Sequence, residues 1–397
     1  MKTVQEQVLS SLDLGNMVHV LEELIAMPSP VGHEEGMAEL LGNILQRDGF
    51  DVEYQAVEGS RKNVVATYRF STPGPCLMFN GHLDTVAPRE DWDGDPYMPV
   101  SRNGRMVGLG AVDMKGGIAA SIVALRALIH SGTPLCGTIM FSGVIDEEGY
   151  SKGGHALLEH GLDEVDAIII GEPCSGTEAN PVPVLVAGKV LYRLAMQGIQ
   201  AHGFMPQDGV NAIEEMAVAL SSLDSLHQVE YPGLGIGPIS TLKIDGGYKE
   251  YAVVVPDHCE AIISRMIVPG ETSETCKQDM ENLMESLKLD AAFRVDMIPP
   301  YYAPLETDPS TGVFRIFADA YEREHDKAPV LGPSVIITDA SVFCGLGGIP
   351  TLVYGPTGGG IHQANEYVDL GDLFTCAKVY ARTAVRFLTE CTTRRCA

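Results

Sequence analysis

Apolar residues recur at helical spacing in several parts of the chain, and short apolar runs separate these stripes. The first stripe predicts a helix over residues 17–27, which ends before Pro28 because the residue that precedes a proline disfavours the helical backbone. A second stripe predicts a helix that opens at residues 32–35 and ends near Gly49. Further helices are predicted over residues 118–129, 209–223, 271–287, 311–324 and 370–389.

The short apolar or alternating runs predict strands. In residues 190–298 the elements follow the order strand, helix, strand, strand, helix, strand, which is the ferredoxin-like arrangement. The first pattern resumes near residue 302, so we expect a discontinuous domain of residues 1–188 and 303–397 with an inserted domain of residues 189–302. The predicted strands are residues 51–54, 63–68, 77–79, 138–144, 167–170, 190–196, 237–244, 260–267, 293–298 and 349–354.

Composition limits the class of protein. A chain of 397 residues exceeds one usual hydrophobic core, and its 45% apolar and 20% charged content is that of a globular protein. The chain lacks any apolar run of about 18 residues, and residues 1–16 lack the pattern of a signal peptide. The nine cysteines are dispersed without a C-x-x-C pair, as in reduced cytosolic proteins, so we expect a cytoplasmic protein.

The net charge of −26 also excludes some partners. Nucleic acids and anionic membranes bind clustered Lys and Arg, so we expect neither as a partner. An acidic balance does not identify a substrate, because it mainly favours solubility.

Acids and histidines stand where predicted strands end. In open α/β sheets, ligands gather beyond the carboxyl ends of the strands, so these side chains are expected to meet. His82 follows the strand at 77–79, with Asp84 two residues later on the same side of an extended chain. The other candidates are Asp113 in a glycine-rich segment, Glu147 and Glu148 after residue 144, Glu172 after residue 170, and His362 after Gly358, Gly359 and Gly360.

This set of side chains suits a pair of divalent cations. Two imidazoles and three carboxylates, one of them shared, can hold two ions and leave a position for water. Borderline nitrogen and oxygen donors favour zinc, with cobalt or manganese as substitutes. Two such ions, about 3.5–4 Å apart, can hold a hydroxide and polarise a carbonyl group. Glu147 and Glu148 diverge as neighbours, so one can bind metal while the other serves as general base.

Two segments admit alternative interpretations. The glycine-rich residues 108–117 precede a predicted helix, as in a phosphate loop, but they contain neither G-x-G-x-x-G after a strand nor G-K-[ST]. The alternative is that the glycines let the backbone crowd around Asp113. The segment 87–99, rich in Pro and Asp and containing Trp92, is either the rim of a pocket or an exposed connection.

Five segments together resemble a known family: GHLDTV (81–86), GLGAVDMKGG (108–117), DEEGYSKGG (146–154), GEP (171–173) and GPTGGGIHQANEYV (355–368). Over essentially its whole length the chain is similar to the di-zinc metallopeptidase family twenty, which contains succinyl-diaminopimelate desuccinylase, acetylornithine deacetylase, aminoacylase and carboxypeptidase G. The resemblance implies a zinc-peptidase-like catalytic domain, with a mixed sheet flanked by helices. It also implies that the inserted ferredoxin-like α+β domain serves as a dimerisation and lid domain.

The resemblance also implies roles for the candidate residues. One zinc would be bound by His82, Asp113 and Glu172, and the other by Asp113, Glu148 and His362, so that Asp113 bridges the two. Glu147 would be the general base and acid, and Asp84 would orient His82. A cis peptide is implied between Asp113 and Met114.

Further roles concern the substrate. By resemblance, His202 in the inserted domain reaches the site of a partner subunit and stabilises the oxyanion, which implies a homodimer. Arg265 stands where relatives pair an arginine with the substrate carboxylate, and Gly359 and Gly360 are expected to contact substrate. The chain departs from the family pattern in Gly203 instead of Ser or Thr, Val253 instead of Asn, and Ile263 instead of an acid.

We therefore expect a cytoplasmic homodimeric zinc hydrolase that cleaves the amide bond of an N-acyl amino acid with metal-bound hydroxide and Glu147 as base. A dipeptidase or carboxypeptidase-type exopeptidase is the alternative within the same chemistry. A non-catalytic binding protein on this fold would be expected to lack ligands, yet all are present. The departures at positions 203, 253 and 263 leave the acyl group and the amino acid open.

Overall fold

The structure is a computed structural model that describes residues 3–250, 252–310 and 312–390. The chain folds as two compact units. The larger unit comprises Met1–Val184, Thr307–Pro333 and Thr338–Ala397, and the inserted unit comprises Leu185–Glu306 and Ser334–Ile337. The insertion predicted from sequence was residues 189–302, without the short segment 334–337.

The helices agree with the predicted apolar stripes, with ends that differ by a few residues. Asp13 caps one of them, since its side chain accepts the Asn16 backbone N–H at 3.1 Å. The short first helix and the helix at residues 152–160 were not predicted; the latter begins with Lys152-Gly153-Gly154, and glycine disfavours a helix. The helices are α1 Val4–Leu9, α2 Leu14–Ala26, α3 Glu35–Arg47, α4 Lys115–His130, α5 Lys152–His160, α6 Ala212–Ser221, α7 Ser273–Ser286, α8 Gly312–His325 and α9 Leu370–Glu390.

Every predicted strand is present, and several short strands join them. They are β1 Asp51–Glu58, β2 Arg61–Arg69, β3 Thr72–His82, β4 Val100–Arg102, β5 Arg105–Val107, β6 Cys136–Val144, β7 Ala167–Ile170, β8 Val182–Val186, β9 Gly188–Gln197, β10 Ala201–His202, β11 Glu230–Tyr231, β12 Gly235–Ile236, β13 Ile239–Gly246, β14 Val254–Val255, β15 His258–Ile267, β16 Ala292–Tyr302, β17 Leu305–Glu306, β18 Leu331–Ser334, β19 Thr351–Val353, β20 Gly358–Gly359 and β21 Tyr367–Asp369.

The larger unit is built on a mixed six-stranded sheet in the order β1-β2-β6-β3-β7-β19. β1, β2 and β6 pair antiparallel, whereas β6, β3, β7 and β19 pair parallel. β7 is buried along its whole length and β3 over its last eight residues, which explains the apolar run in each strand. Helix α4 is buried on almost every side and contacts α2, α9 and β3.

A second sheet of the larger unit joins segments far apart in sequence. Its order is β20-β21-β5-β4, and β21 pairs antiparallel with both β20 and β5. Residues 358–360, predicted as a simple turn, therefore begin with a strand, and Gly360 follows with a φ of 75°. This pairing holds the segment after β19 against the segment before α4.

The inserted unit has the sheet order β13-β15-β9-β16, with antiparallel pairs throughout. Helices α6 and α7 cover one face, and this is the ferredoxin-like arrangement that the element order predicts. β15 alternates buried and half-buried residues, with Cys259, Ala261 and Ile263 in the core. β13 lies at the edge of the sheet and is exposed along nearly its whole length.

Two further expectations concern the whole chain. Among the residues described, no helix is both long and apolar enough to cross a membrane. Within the same residues no disulfide joins the cysteines, while Cys391 and Cys396 lie outside the described part of the chain.

Candidate metal centre

The carboxyl ends of the parallel strands meet at one edge of the central sheet. His82 is the last residue of β3, which lies between β6 and β7. Glu147 and Glu148 follow the end of β6, and Glu172 follows the end of β7. The parallel strands thus bring together side chains that are far apart in sequence. His82 and Glu172 are 90 residues apart in the chain, yet they approach to 3.5 Å.

Two groups of possible metal ligands share Asp113. His82, Asp113 and Glu172 form the first group, and Asp113, Glu148 and His362 form the second; in each, the donor atoms lie within 4.8 Å of one another. The two oxygens of Asp113 face different imidazoles: Oδ1 lies 3.1 Å from Nε2 of His82, and Oδ2 lies 3.4 Å from Nε2 of His362. A carboxylate in this position can bridge two cations.

Asp84 contacts His82 and the backbone of Glu147 and Glu148. Nδ1 of His82 lies 2.9 Å from the backbone carbonyl of Asp84 and 3.7 Å from its carboxylate. The carbonyl therefore fixes the imidazole, while the buried carboxylate accepts the backbone N–H groups of Glu147 and Glu148 at 3.1 and 2.9 Å. The main chain of Asp84 thus makes the shorter contact with His82, and its carboxylate makes a longer one.

Asp113 lies just before α4, in the glycine-rich segment. Its peptide bond with Met114 is cis, as the resemblance implies. A side chain on Gly117 would clash with the carbonyl oxygen of Gly171, so glycine there lets the start of α4 approach the end of β7. The close approach brings Asp113 near Glu172.

The amides of this segment are already occupied by a carboxylate. Glu366 accepts N–H groups from Gly110, Val112 and Asp113 at 2.8, 2.8 and 3.0 Å. A phosphate loop needs such amides free for the phosphate, so the structure favours the alternative that the glycines let backbone crowd around an acid. Sequence reasoning missed Glu366, although it lies within the segment 355–368 that carries the resemblance.

The acid–histidine contacts shift the pKa values of the shared ligand and both imidazoles. Burial works to raise the pKa of Asp113, but hydrogen bonds with His362 and His82 outweigh burial and hold this pKa well below its usual range. Hydrogen bonds with Asp113 and Glu148 raise the pKa of His362 to about 10. Burial works to lower the pKa of His82, yet neighbouring carboxylates outweigh it and raise this pKa well above its ordinary value. The carboxylates around His82 and His362 thus favour positive charge at this position.

The pKa values of two further carboxyl groups, those of Glu147 and Glu172, are shifted upwards. Burial raises the pKa of Glu147 and of Glu172 well above the ordinary value, and nearby acids, Asp339 for Glu147 and Asp113 for Glu172, add to the effect. The centre therefore has more carboxylates than its own positive charge can neutralise. Two imidazoles and three carboxylates are also the donors that zinc takes, so these residues fit a pair of divalent cations. Glu147 is a member of neither ligand group.

A buried ion-pair network supports the turn that carries Glu147 and Glu148. Arg61 donates from Nε and Nη2 to Glu34 at 2.9 and 2.6 Å, and from Nη2 to Asp146 at 2.6 Å. Asp146 also accepts the Tyr150 backbone N–H at 3.1 Å and has a φ of 67°. Sequence reasoning missed Arg61 and Glu34, because their spacing carries no signal of this contact.

The loop of residues 87–99 is tied to the neighbourhood of His362. The Asp93 backbone N–H donates to the side chain of Asn365 at 3.1 Å, and the Leu109 N–H donates to the Pro96 carbonyl at 2.9 Å. Residues 88–91 are exposed. Gly359, in β20, and Gly360, whose carbonyl accepts the Gln363 N–H, also belong to this neighbourhood; their contact with substrate stays a prediction.

His202 and Arg265 lie in the inserted unit. His202 is exposed in β10, and its Nδ1 accepts the Phe204 N–H at 3.2 Å. Arg265 stands on the inner face of β15, only 1% exposed, with Nη2 2.5 Å from Glu271 and Nη1 3.3 Å from Asp279. The guanidinium of Arg265 thus pairs with two acids of its own unit, and its expected contact with a substrate carboxylate stays a prediction. Ile263 is buried on the same face.

Comparison with known proteins agrees with this geometry. Residues 78–386 match the model of peptidase family M20/M25/M40. The succinyl-diaminopimelate desuccinylase of Stenotrophomonas maltophilia (strain K279a) is 29% identical over 377 residues, 92% of this chain and 97% of that protein. The aminopeptidase PepT of Bacillus cereus ATCC 10987 has a TM-score of 0.77 at 20% identity, covering 96% of this chain and 100% of the other.

A dinuclear metal-binding peptidase of family M20 from Bacillus subtilis has a TM-score of 0.70 at 17% identity, covering 94% of this chain and 98% of the other. These structures confirm the predicted fold class. The chain belongs to peptidase family M20/M25/M40, which confirms the prediction of a metal-dependent hydrolase that acts on amide bonds.

Proposed function

We propose that this protein is a deacylase that hydrolyses the amide bond of an N-acyl amino acid, using two divalent cations. The observation that carries the proposal is the position of Asp113, whose two oxygens face His82 and His362 separately. The full-length relative from Stenotrophomonas maltophilia is named for removal of a succinyl group from an amino acid, and this supports the substrate class.

The cations would be held by His82, Asp113 and Glu172 on one side and by Asp113, Glu148 and His362 on the other. When bound, they would supply Lewis acidity that lowers the pKa of water and polarises a carbonyl group. We propose zinc as the metal, with cobalt and manganese as substitutes, because the donors are imidazole nitrogens and carboxylate oxygens.

Glu147 is the proposed general base and acid. Its carboxylate would take a proton from the attacking water as the new carbon–oxygen bond forms, and would return it to the amine nitrogen as the carbon–nitrogen bond breaks. The products are a carboxylic acid and a free amine, so no further reactant is needed. Asp84 is the proposed positioning residue, because its carboxylate holds the backbone of Glu147 and Glu148.

His202 is proposed to stabilise the oxyanion in the site of a partner subunit, within a cytoplasmic homodimer. Its exposed side chain supports a contact outside its own unit. The exposed edge strand β13, with Leu242 60% and Ile244 52% exposed, supports an association between copies.

Replacement of Glu147 tests the proposal. In Glu147→Gln we expect kcat to fall by at least about 10²-fold, because the group that moves the proton is gone, while metal content stays near two ions per subunit. The control is Glu159→Gln, the same change at an exposed position of α5, with unchanged kcat. Retained activity in Glu147→Gln would exclude Glu147 as the base.

The substrate class is tested with a panel of N-succinyl and N-acetyl amino acids and dipeptides, read by release of the amine from zinc- and cobalt-loaded protein. Turnover of the N-acyl amino acids with little turnover of dipeptides is the expected result. The reverse preference would replace the deacylase by the exopeptidase alternative.

A further inference from the structure

The carboxylate of Glu366 binds the segment that carries Asp113. It is 2% exposed, and its Oε1 accepts the N–H groups of Val112 and Asp113 at 2.8 and 3.0 Å. Its Oε2 accepts the N–H of Gly110 at 2.8 Å. A single side chain thus takes up three main-chain donors within four residues, and one of them belongs to Asp113 itself.

The main chain of Glu366 adds to this attachment. Its carbonyl accepts the Gly108 N–H at 3.0 Å, and the next residue begins β21, which pairs with β5. Glu366 lies four residues after His362, which has a φ of 57° in the connecting turn. Glu366 therefore joins the segment of Asp113 to the segment of His362.

The two ligand groups depend on this attachment to different degrees. His82 and Glu172 stand at the ends of β3 and β7, whose neighbours in the sheet hold them. His362 stands in a turn, and its side chain is about half exposed, at 49%. The second group, Asp113, Glu148 and His362, thus takes two of its three members from segments that Glu366 joins.

We propose that Glu366 is a positioning residue of the two-metal centre, which holds Asp113 and His362 at the mutual distance that the second cation requires. The inference rests on the proposed function only for the presence of two cations, and it does not depend on the identity of the substrate. Outer residues that orient ligands typically change metal affinity by about 10–100-fold when replaced.

The test compares Glu366→Gln, Glu366→Ala and the wild type by zinc titration of metal-free protein against a chelating indicator, with metal content measured separately. Gln keeps an oxygen for Val112 and Asp113 but points an NH₂ group at the Gly110 N–H, whereas Ala removes all three contacts. We expect one of the two ions to lose about 10–100-fold in affinity in Glu366→Ala and less in Glu366→Gln, with the other ion changed least, because only the second group takes two ligands from the joined segments.

The control is Asp166→Asn, which removes one acceptor oxygen from a carboxylate that accepts the Cys76 N–H at 2.8 Å in the same unit. Cys76 lies near the start of β3, away from the carboxyl ends of the parallel strands, so zinc affinity should stay at the wild-type value. Unfolding of the metal-free variants is recorded alongside, since a merely structural role would lower stability without this order of zinc affinities. If Glu366→Ala fails to fold, Glu366→Gln alone still has to bind one of the two zinc ions more weakly than the wild type does.

The inference would be overturned if Glu366→Gln, and Glu366→Ala where it folds, bound both zinc ions as tightly as the wild type does. An equal loss of affinity for both ions would overturn it as well, because the effect would then not be specific to the second group. If the wild type binds two ions but fails to hydrolyse N-acyl amino acids, the proposed function fails while the affinities still decide the role of Glu366. If it binds fewer than two ions, both fail.

Discussion

Removal of the Arg61 guanidinium should destabilise the larger unit strongly. Arg61 pairs with Glu34 and Asp146, whose side chains are 0% and 2% exposed, and its own side chain is 11% exposed. In Arg61→Met both acids would stay in the interior without a cation. The Asp146 contact would also be lost from the turn that carries Glu147 and Glu148.

The size of the effect follows from burial. Breaking a buried ion pair by removing one partner costs about 3–5 kcal/mol, because an uncompensated charge remains in a medium of low dielectric constant. Domains of roughly 150–250 residues lose about 2–4 °C of melting temperature per kcal/mol, so Arg61→Met should melt roughly 6–20 °C below the wild type. The melting temperature of Arg61→Lys should lie between those of the wild type and Arg61→Met, since a lysine keeps the charge but cannot present the planar fork that binds both acids.

The assay is thermal unfolding of metal-free protein, followed by circular dichroism. The control is Arg89→Met, which removes an equal charge from a pair with Asp91 in which both side chains are largely exposed, at 57% and 63%. Exposed pairs contribute little, so this variant should melt close to the wild type. A drop in Arg61→Met no larger than in Arg89→Met would refute the reasoning that burial makes this network important.

Two further predictions concern assembly and pH. If His202 acts in a partner's site, inactive His202→Ala and inactive Glu147→Gln subunits should regain part of the activity when they are mixed and allowed to exchange. Absence of any gain would contradict that role. Size-exclusion chromatography with light scattering checks that the protein is a dimer. Burial lowers the pKa of His325, which stacks on Tyr321 with ring centroids 4.0 Å apart. The unfolded chain therefore binds a proton near the ordinary pKa of 6.5 while the folded chain does so only at lower pH, and stability is lost as pH falls below that value. When the pH is lowered from about 7.5 to 5.5, the free energy of unfolding, measured with urea, should fall more in the wild type than in His325→Gln. Equal losses would count against the protonation argument.

Most of the secondary structure and the candidate ligands could be read from the sequence. Apolar periodicity is a local property, and it locates α4, β3, β6 and β7 to within a few residues. His82, Glu148 and Glu172 were recognised because each lies at or just after the end of one of these strands, and parallel neighbours bring their carboxyl ends to one edge. The same reasoning failed for α5, where two glycines at its start hide the helix.

Only the tertiary structure decided which groups hold these residues in place. Arg61 contacts Asp146 across 85 residues, and Glu366 contacts Gly110 across 256, so no local spacing could reveal either pair. Likewise, the position of Arg265 on the inner face of β15 beside Glu271 follows from how a sheet packs on its helices. The sequence by itself determined the strands and the side chains at their ends, because short-range periodicity encodes them. The packing of distant segments determined which carboxylate orients which ligand, because a buried charge must find its partner wherever the fold brings one.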